Sequence, residues 1–97
     1  MMMEEKKAQN NSDENIFIVS QEMGIKAANF IKEKNYISAK ILLIQACENL
    51  TKLIKISPNS MQAKQLFNQL ILQAEECQKT LKEIYKINVN IITRYLS

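Results

Sequence analysis

The chain has 97 residues, 46% of them hydrophobic, and its 13 Lys and Arg are scattered among 10 Asp and Glu for a formal charge of +3. That length supports one small domain, and a single Gly with a single Pro leaves almost no material for the turns of an all-β chain. A small, dispersed charge argues against a nucleic-acid surface, and the absence of histidine excludes Ser-His and Cys-His nucleophiles and every His-containing metal site.

Residues 1–13, MMMEEKKAQNNSD, are polar and without periodicity, and are expected to form a disordered lead closed by a capping Ser12 or Asp13. This opening has no apolar core of the length a signal peptide needs, and no later apolar run approaches the ~20 residues that span a bilayer. The expectation is a cytoplasmic protein with no direct membrane insertion.

Apolar positions then recur at Ile16, Val19, Met23, Ala27 and Phe30, with Phe17, Ser20, Gly24, Ala28 and Ile31 beside them. Steps of three and four place each set on one face of a helix. Small residues in the middle of the second set allow close approach by another backbone. Lys32-Glu33-Lys34-Asn35 ends this first helix, with Asn35 suited to the left-handed position that closes many helices.

The second helix starts near Tyr36, and its stripe is Tyr36, Ala39, Leu43, Ala46 with Cys47, Leu50, and Leu53 with Ile54. A further set, Ile37, Ile41 and Ile44, leaves that stripe and asks for a broader core or a partner. Ser57-Pro58-Asn59-Ser60 is the clearest stop, because proline cannot continue a helix and disfavours helical geometry in the residue before it.

The third helix, capped by Asn59 or Ser60, carries Ala63, Leu66 or Phe67, Leu70, Ala74, Cys77, Leu81 and Ile84, with a second stripe of Phe67, Ile71, Ala74 and Gln78. It too has more apolar surface than two neighbours need. Residues 87–97 are rich in Asn and β-branched residues, weak helix formers, and are expected to extend this helix or fray. The architecture expected is all-α: an antiparallel three-helix bundle over residues 14–86 with a long third helix. Cys47 and Cys77 fall on apolar faces without the spacing of a metal knuckle or redox pair, so buried free thiols are expected, with no metal and no cofactor.

Lys26-Ala27-Ala28, then Lys34-Asn35-Tyr36, Ala39, Leu42 and Ala46-Cys47-Glu48 resemble the first two helices of an MIT domain, the microtubule-interacting and trafficking module. Leu70-Ile71-Leu72-Gln73-Ala74-Glu75 looks like that family's Tyr-Leu-Asp-Arg-Ala-Glu run, and the likeness extends from about Ile16 to Ile84. The resemblance implies a protein-binding module for endosomal sorting and protein transport, the recognition part of a larger protein. Its partners would be C-terminal tail peptides of ESCRT-III subunits, which would recruit it to endosomal or other membranes.

In such a domain a ligand helix lies between the second and third helices. By position, Ile71 would be the central apolar contact, Ala74 the small residue that allows close approach, and Glu75 the acceptor for a ligand arginine. Phe67 and Gln78 continue that stripe, and Ile41, Ile44 and Gln45 face it from the second helix. Leu72 stands where the family has an acidic residue, implying a less acidic groove. A second groove, between the first and third helices, would use Phe17, Gly24 and Ala28 for an extended segment.

The alternative is a tetratricopeptide-like or self-associating helical structural domain, since spare apolar faces can pair with a second copy. No second copy of the repeat's roughly 34-residue pattern occurs. With no phosphate-cradling glycine loop and no convergent acids, catalysis within these residues is not expected.

Overall fold

The third helix outruns the other two, and that mismatch in length shapes the molecule. A computed structural model describes residues 2–96, with side chains from Asp13 onward. It consists of α1 (Met2–Lys32), α2 (Tyr36–Ile56) and α3 (Met61–Leu96), an all-α bundle with no strand among the described residues. Helix α2, at 21 residues, covers roughly 32 Å, whereas α3, at 36, covers roughly 54 Å. The molecule measures 72 × 21 × 19 Å. Tight corners alternate the direction of the chain, so α1 and α3 run the same way on either side of α2. Each packs along α2, and they touch one another only briefly.

The first corner takes three residues. Lys34 adopts φ 64°, its N–H donates to the Ile31 carbonyl at 2.9 Å, and the Asn35 N–H donates to the Phe30 carbonyl at 2.7 Å. These are the paired bonds of a Schellman closure. Asn35 does not take the left-handed position expected of it. Its side-chain oxygen instead accepts from the Ser38 N–H at 3.3 Å, making it the N-cap of α2. One asparagine cannot serve both ends, and the left-handed position passes to Lys34.

At the second corner the Ser57 N–H closes α2 on the Leu53 carbonyl at 2.8 Å, and Ser60 turns back onto the Ser57 carbonyl at 3.1 Å. Ser60 Oγ then accepts from the Ala63 N–H at 3.3 Å, so Ser60 caps α3.

The core joins Ala27 of α1 to Ala39, Leu43, Ala46, Cys47, Leu50 and Leu53 of α2 and to Ala63, Leu70, Ala74 and Cys77 of α3. The α2 stripe lies where its spacing puts it. On α1 the position buried one turn after Ile16 is Ser20, at 0% exposure, while Val19 is 46% exposed. The Ser20 hydroxyl donates to the Ile16 carbonyl of its own helix at 2.7 Å, so a small side chain enters the interior without an orphaned polar group. Both steps, Ile16 to Val19 and Ile16 to Ser20, fit a period of 3.6.

Gly24 marks the place where α1 meets α3. A Cβ there would lie 2.9 Å from Leu70 Cδ2, which accounts for a glycine in mid-helix at a cost of ~1 kcal/mol against alanine.

Two readings differ from expectation. Helix α1 runs from Met2 with no break at Ser12 or Asp13, so residues 2–13 are helical where a disordered lead is expected. Met, Glu, Lys, Ala and Gln are strong helix formers, and no Gly or Pro interrupts them. Ile84, expected in the core, is 41% exposed, because α1 and α2 turn into their corner before reaching it. Residues 87–96 continue α3, the first of the two courses expected of them, despite their β-branched content, and are exposed throughout. Ser97 lies outside the described residues.

Candidate protein-binding grooves

The outer edge of the α2–α3 contact is an open groove of about 600 Å³. Its α2 wall is Lys40 and Ile44, one turn apart. Its α3 wall is Ile71, Ala74, Glu75, Glu76, Gln78, Lys79 and Lys82. Ala74 is buried at the foot of this wall, and Ile71 packs partly against the core with its remainder turned to the groove. The floor is therefore apolar and the rims are charged. Across it the Lys40 ammonium donates to the Gln78 side-chain oxygen, tying the two helices together.

Five residues singled out from the sequence, Ile44, Ile71, Ala74, Glu75 and Gln78, line this one groove. Three others do not. Ile41 is 52% exposed, and Gln45 is also exposed. Successive residues rotate by about 100°, which carries both past the α3-facing edge marked by Lys40 and Ile44 toward the far side of α2. Phe67 packs against the core instead of standing in the groove.

Sequence reasoning missed Lys40, Glu76, Lys79 and Lys82. The signal was present: Lys79 and Lys82 follow Glu75 at four and seven residues, and Lys40 precedes Ile44 by four, spacings that share a helical face.

A second groove, of about 430 Å³, runs between α1 and α3. Gly24 and Ala28 line it with Gln21 and Ile25 on one side and Leu66, Gln69, Leu70 and Gln73 on the other. Phe17, expected here, lines a separate hollow at the end of the bundle with Asp13, Leu53, Ser57 and Ser60. The register of α1 against α3 brings Phe17 level with the second corner, about two turns below Gly24.

Cys47 and Cys77 are buried free thiols. Burial pushes both upward from the ordinary thiol value, and for Cys77 the Glu76 charge adds to the effect. Among the described residues no three Cys, Asp or Glu side chains converge in a way that could hold a metal ion, and no helix is long and apolar enough to cross a membrane.

Comparison with protein-family models, curated proteins and solved structures found no match for this chain.

Proposed function

We propose that the chain is a protein-recognition module that takes an amphipathic helical segment in the α2/α3 groove, as an MIT domain takes an ESCRT-III tail. The observation that carries this reading is the convergence of Ile44, Ile71, Ala74, Glu75 and Gln78 on one open, apolar-floored groove. Helix-in-groove recognition needs that combination: apolar walls for affinity and a few charges to set register. The module would act in the cytoplasm, within a larger protein, and reach membranes through its partner.

The rim charges give the groove a polarity. Glu75 and Glu76 stand toward the end nearer the second corner, while Lys79, Lys82 and Lys40 stand toward the first. A fitting ligand helix carries an arginine or lysine against Glu75 and an acidic residue one to two turns away, against the lysines. Charge-assisted bonds beside apolar walls are stronger than exposed ion pairs, so this pattern would select among tails.

The test is titration of the chain with a panel of ESCRT-III C-terminal tail peptides. Ile44→Asp and Glu75→Arg change exposed side chains and should leave the helical circular dichroism unchanged. Each should weaken the binding tail by roughly tenfold or more, the effect of losing a central contact. Should no tail bind, or should both variants bind like the parent chain, the reading fails.

A further inference from the structure

The heptad seam that packs α3 against the other helices does not stop where they do. Within the bundle it steps by four and three through Leu70, Ala74, Cys77 and Leu81. Beyond the bundle it keeps that spacing through Ile84, Asn88, Ile91 and Tyr95, all exposed. Tyr85 and Ile92 flank the seam on one side and Ile87 on the other, at 70%, 55% and 59% exposure. A helical projection at 100° per residue gives an apolar arc of roughly 200°. Asn88 sits near its middle, and Lys86, Asn90 and Thr93 lie on the opposite face.

We infer that the end of α3, residues 80–96, pairs antiparallel with the same segment of a second copy, with the two Asn88 side chains facing each other at the twofold axis. Three observations select this occupant. A single carboxamide in the middle of an apolar face costs free energy when buried without a partner. Its own copy across a twofold supplies one reciprocally, each amide donating and accepting, whereas an acyl surface would leave it unpaired. Below Leu81 the seam is already covered by α1 and α2, so a parallel copy would drive its own bundle into the same space. An antiparallel copy points its bundle away.

The lengths also match. Asn88 lies eight residues from Leu96 and seven from Leu81, so an overlap centred on it brings each helix tip to the end of the other bundle, near Ile37 and Leu81. The apolar side chains around Asn88 offer roughly 600 Å² per copy, or ~1,200 Å² for the pair, the lower range of stable interfaces. The apolar residues it rests on, Ile84 to Leu96, line no part of the α2/α3 groove, so the inference stands apart from the recognition reading.

Sedimentation of the full chain over a roughly hundredfold range of concentration tests it, because a dimer responds to protomer concentration by mass action. The wild-type chain should dimerise, and Ile91→Asp should weaken the dimer by about 100-fold, through a charge buried without a partner, with the helical circular dichroism of the bundle kept. Asn88→Cys should yield a covalent dimer under mild thiol oxidation, and Lys86→Cys, on the polar face, should not. A chain monomeric at every concentration, a dimer indifferent to Ile91→Asp, or an Asn88→Cys variant that fails to cross-link would each overturn it. So would monomers that adsorb to phosphatidylcholine and phosphatidylserine vesicles without pairing.

Discussion

Gly24→Ala sets two opposing effects against each other at the point where α1 meets α3. In an isolated helix the substitution is favourable by ~1 kcal/mol, because alanine loses less backbone freedom. Here the new methyl would stand 2.9 Å from Leu70 Cδ2, against ~3.5–4.0 Å for an unstrained carbon pair. A flexible side chain could swing away from such a contact, but Leu70 is 4% exposed and meets the α1/α3 groove only at its edge, so its packed neighbours resist the move. Forcing an extra carbon into such a place costs ~1–3 kcal/mol. The steric effect therefore wins, and Gly24→Ala should destabilise the fold by about 1 kcal/mol, lowering Tm by roughly 4–8 °C for a domain of this size.

Leu70→Val removes the δ carbons responsible. In that background the same Gly24→Ala change should stabilise by roughly 0.5–1 kcal/mol, the helix-propensity gain with its penalty relieved. Urea unfolding of the four chains, followed by far-ultraviolet circular dichroism, measures the cycle. Equal stabilisation by Gly24→Ala in both backgrounds would mean that α1 and α3 do not meet at Gly24, and the reason given for the glycine would be wrong.

The first corner makes two opposite predictions. Lys34→Gly should stabilise by about 1 kcal/mol, since φ 64° is costly for a side chain bearing a Cβ and free for glycine, while Asn35→Ala should destabilise by a similar ~1 kcal/mol through loss of the α2 cap; thermal melts of both variants decide. The buried thiols make a pH prediction. Because burial raises both in the folded state, the unfolded chain ionises first as pH climbs, so their contribution is full below the unfolded thiol value and is lost as pH rises through the folded one. Urea midpoints should therefore fall more steeply at alkaline pH in the wild-type chain than in a Cys47→Ala, Cys77→Ala variant, and parallel curves would refute this.

Much of the fold is local and therefore legible in the chain itself. The α2 stripe from Ala39 to Leu53 is buried as its steps of three and four require. The stop at Ser57 and Pro58 and the cap at Ser60 follow from proline's missing donor and serine's short oxygen. Ile71, Ala74, Glu75 and Gln78 could be assigned to one side of α3 for the same reason. Rotation and length were not local. A period of 3.6 admits Val19 and Ser20 equally, and only the approach of the neighbouring helices chose the serine. The same ambiguity let Ile41 and Gln45 pass for groove residues when the edge facing α3 belongs to Lys40 and Ile44.

The corner shows the division most sharply. Composition alone placed it at residues 32–35, but Asn35 suits both a left-handed helix end and a helix cap. Its use as the α2 cap, which displaces the left-handed residue to Lys34, depends on how the two helices are joined in space. The far end of α3 obeys the same rule. Its apolar seam is written continuously from Leu70 to Tyr95 in the sequence, yet where the seam passes from core to open surface depends on where α1 and α2 turn. Periodicity determines which face of a helix is apolar, and only the tertiary structure decides how far along that face a neighbour reaches.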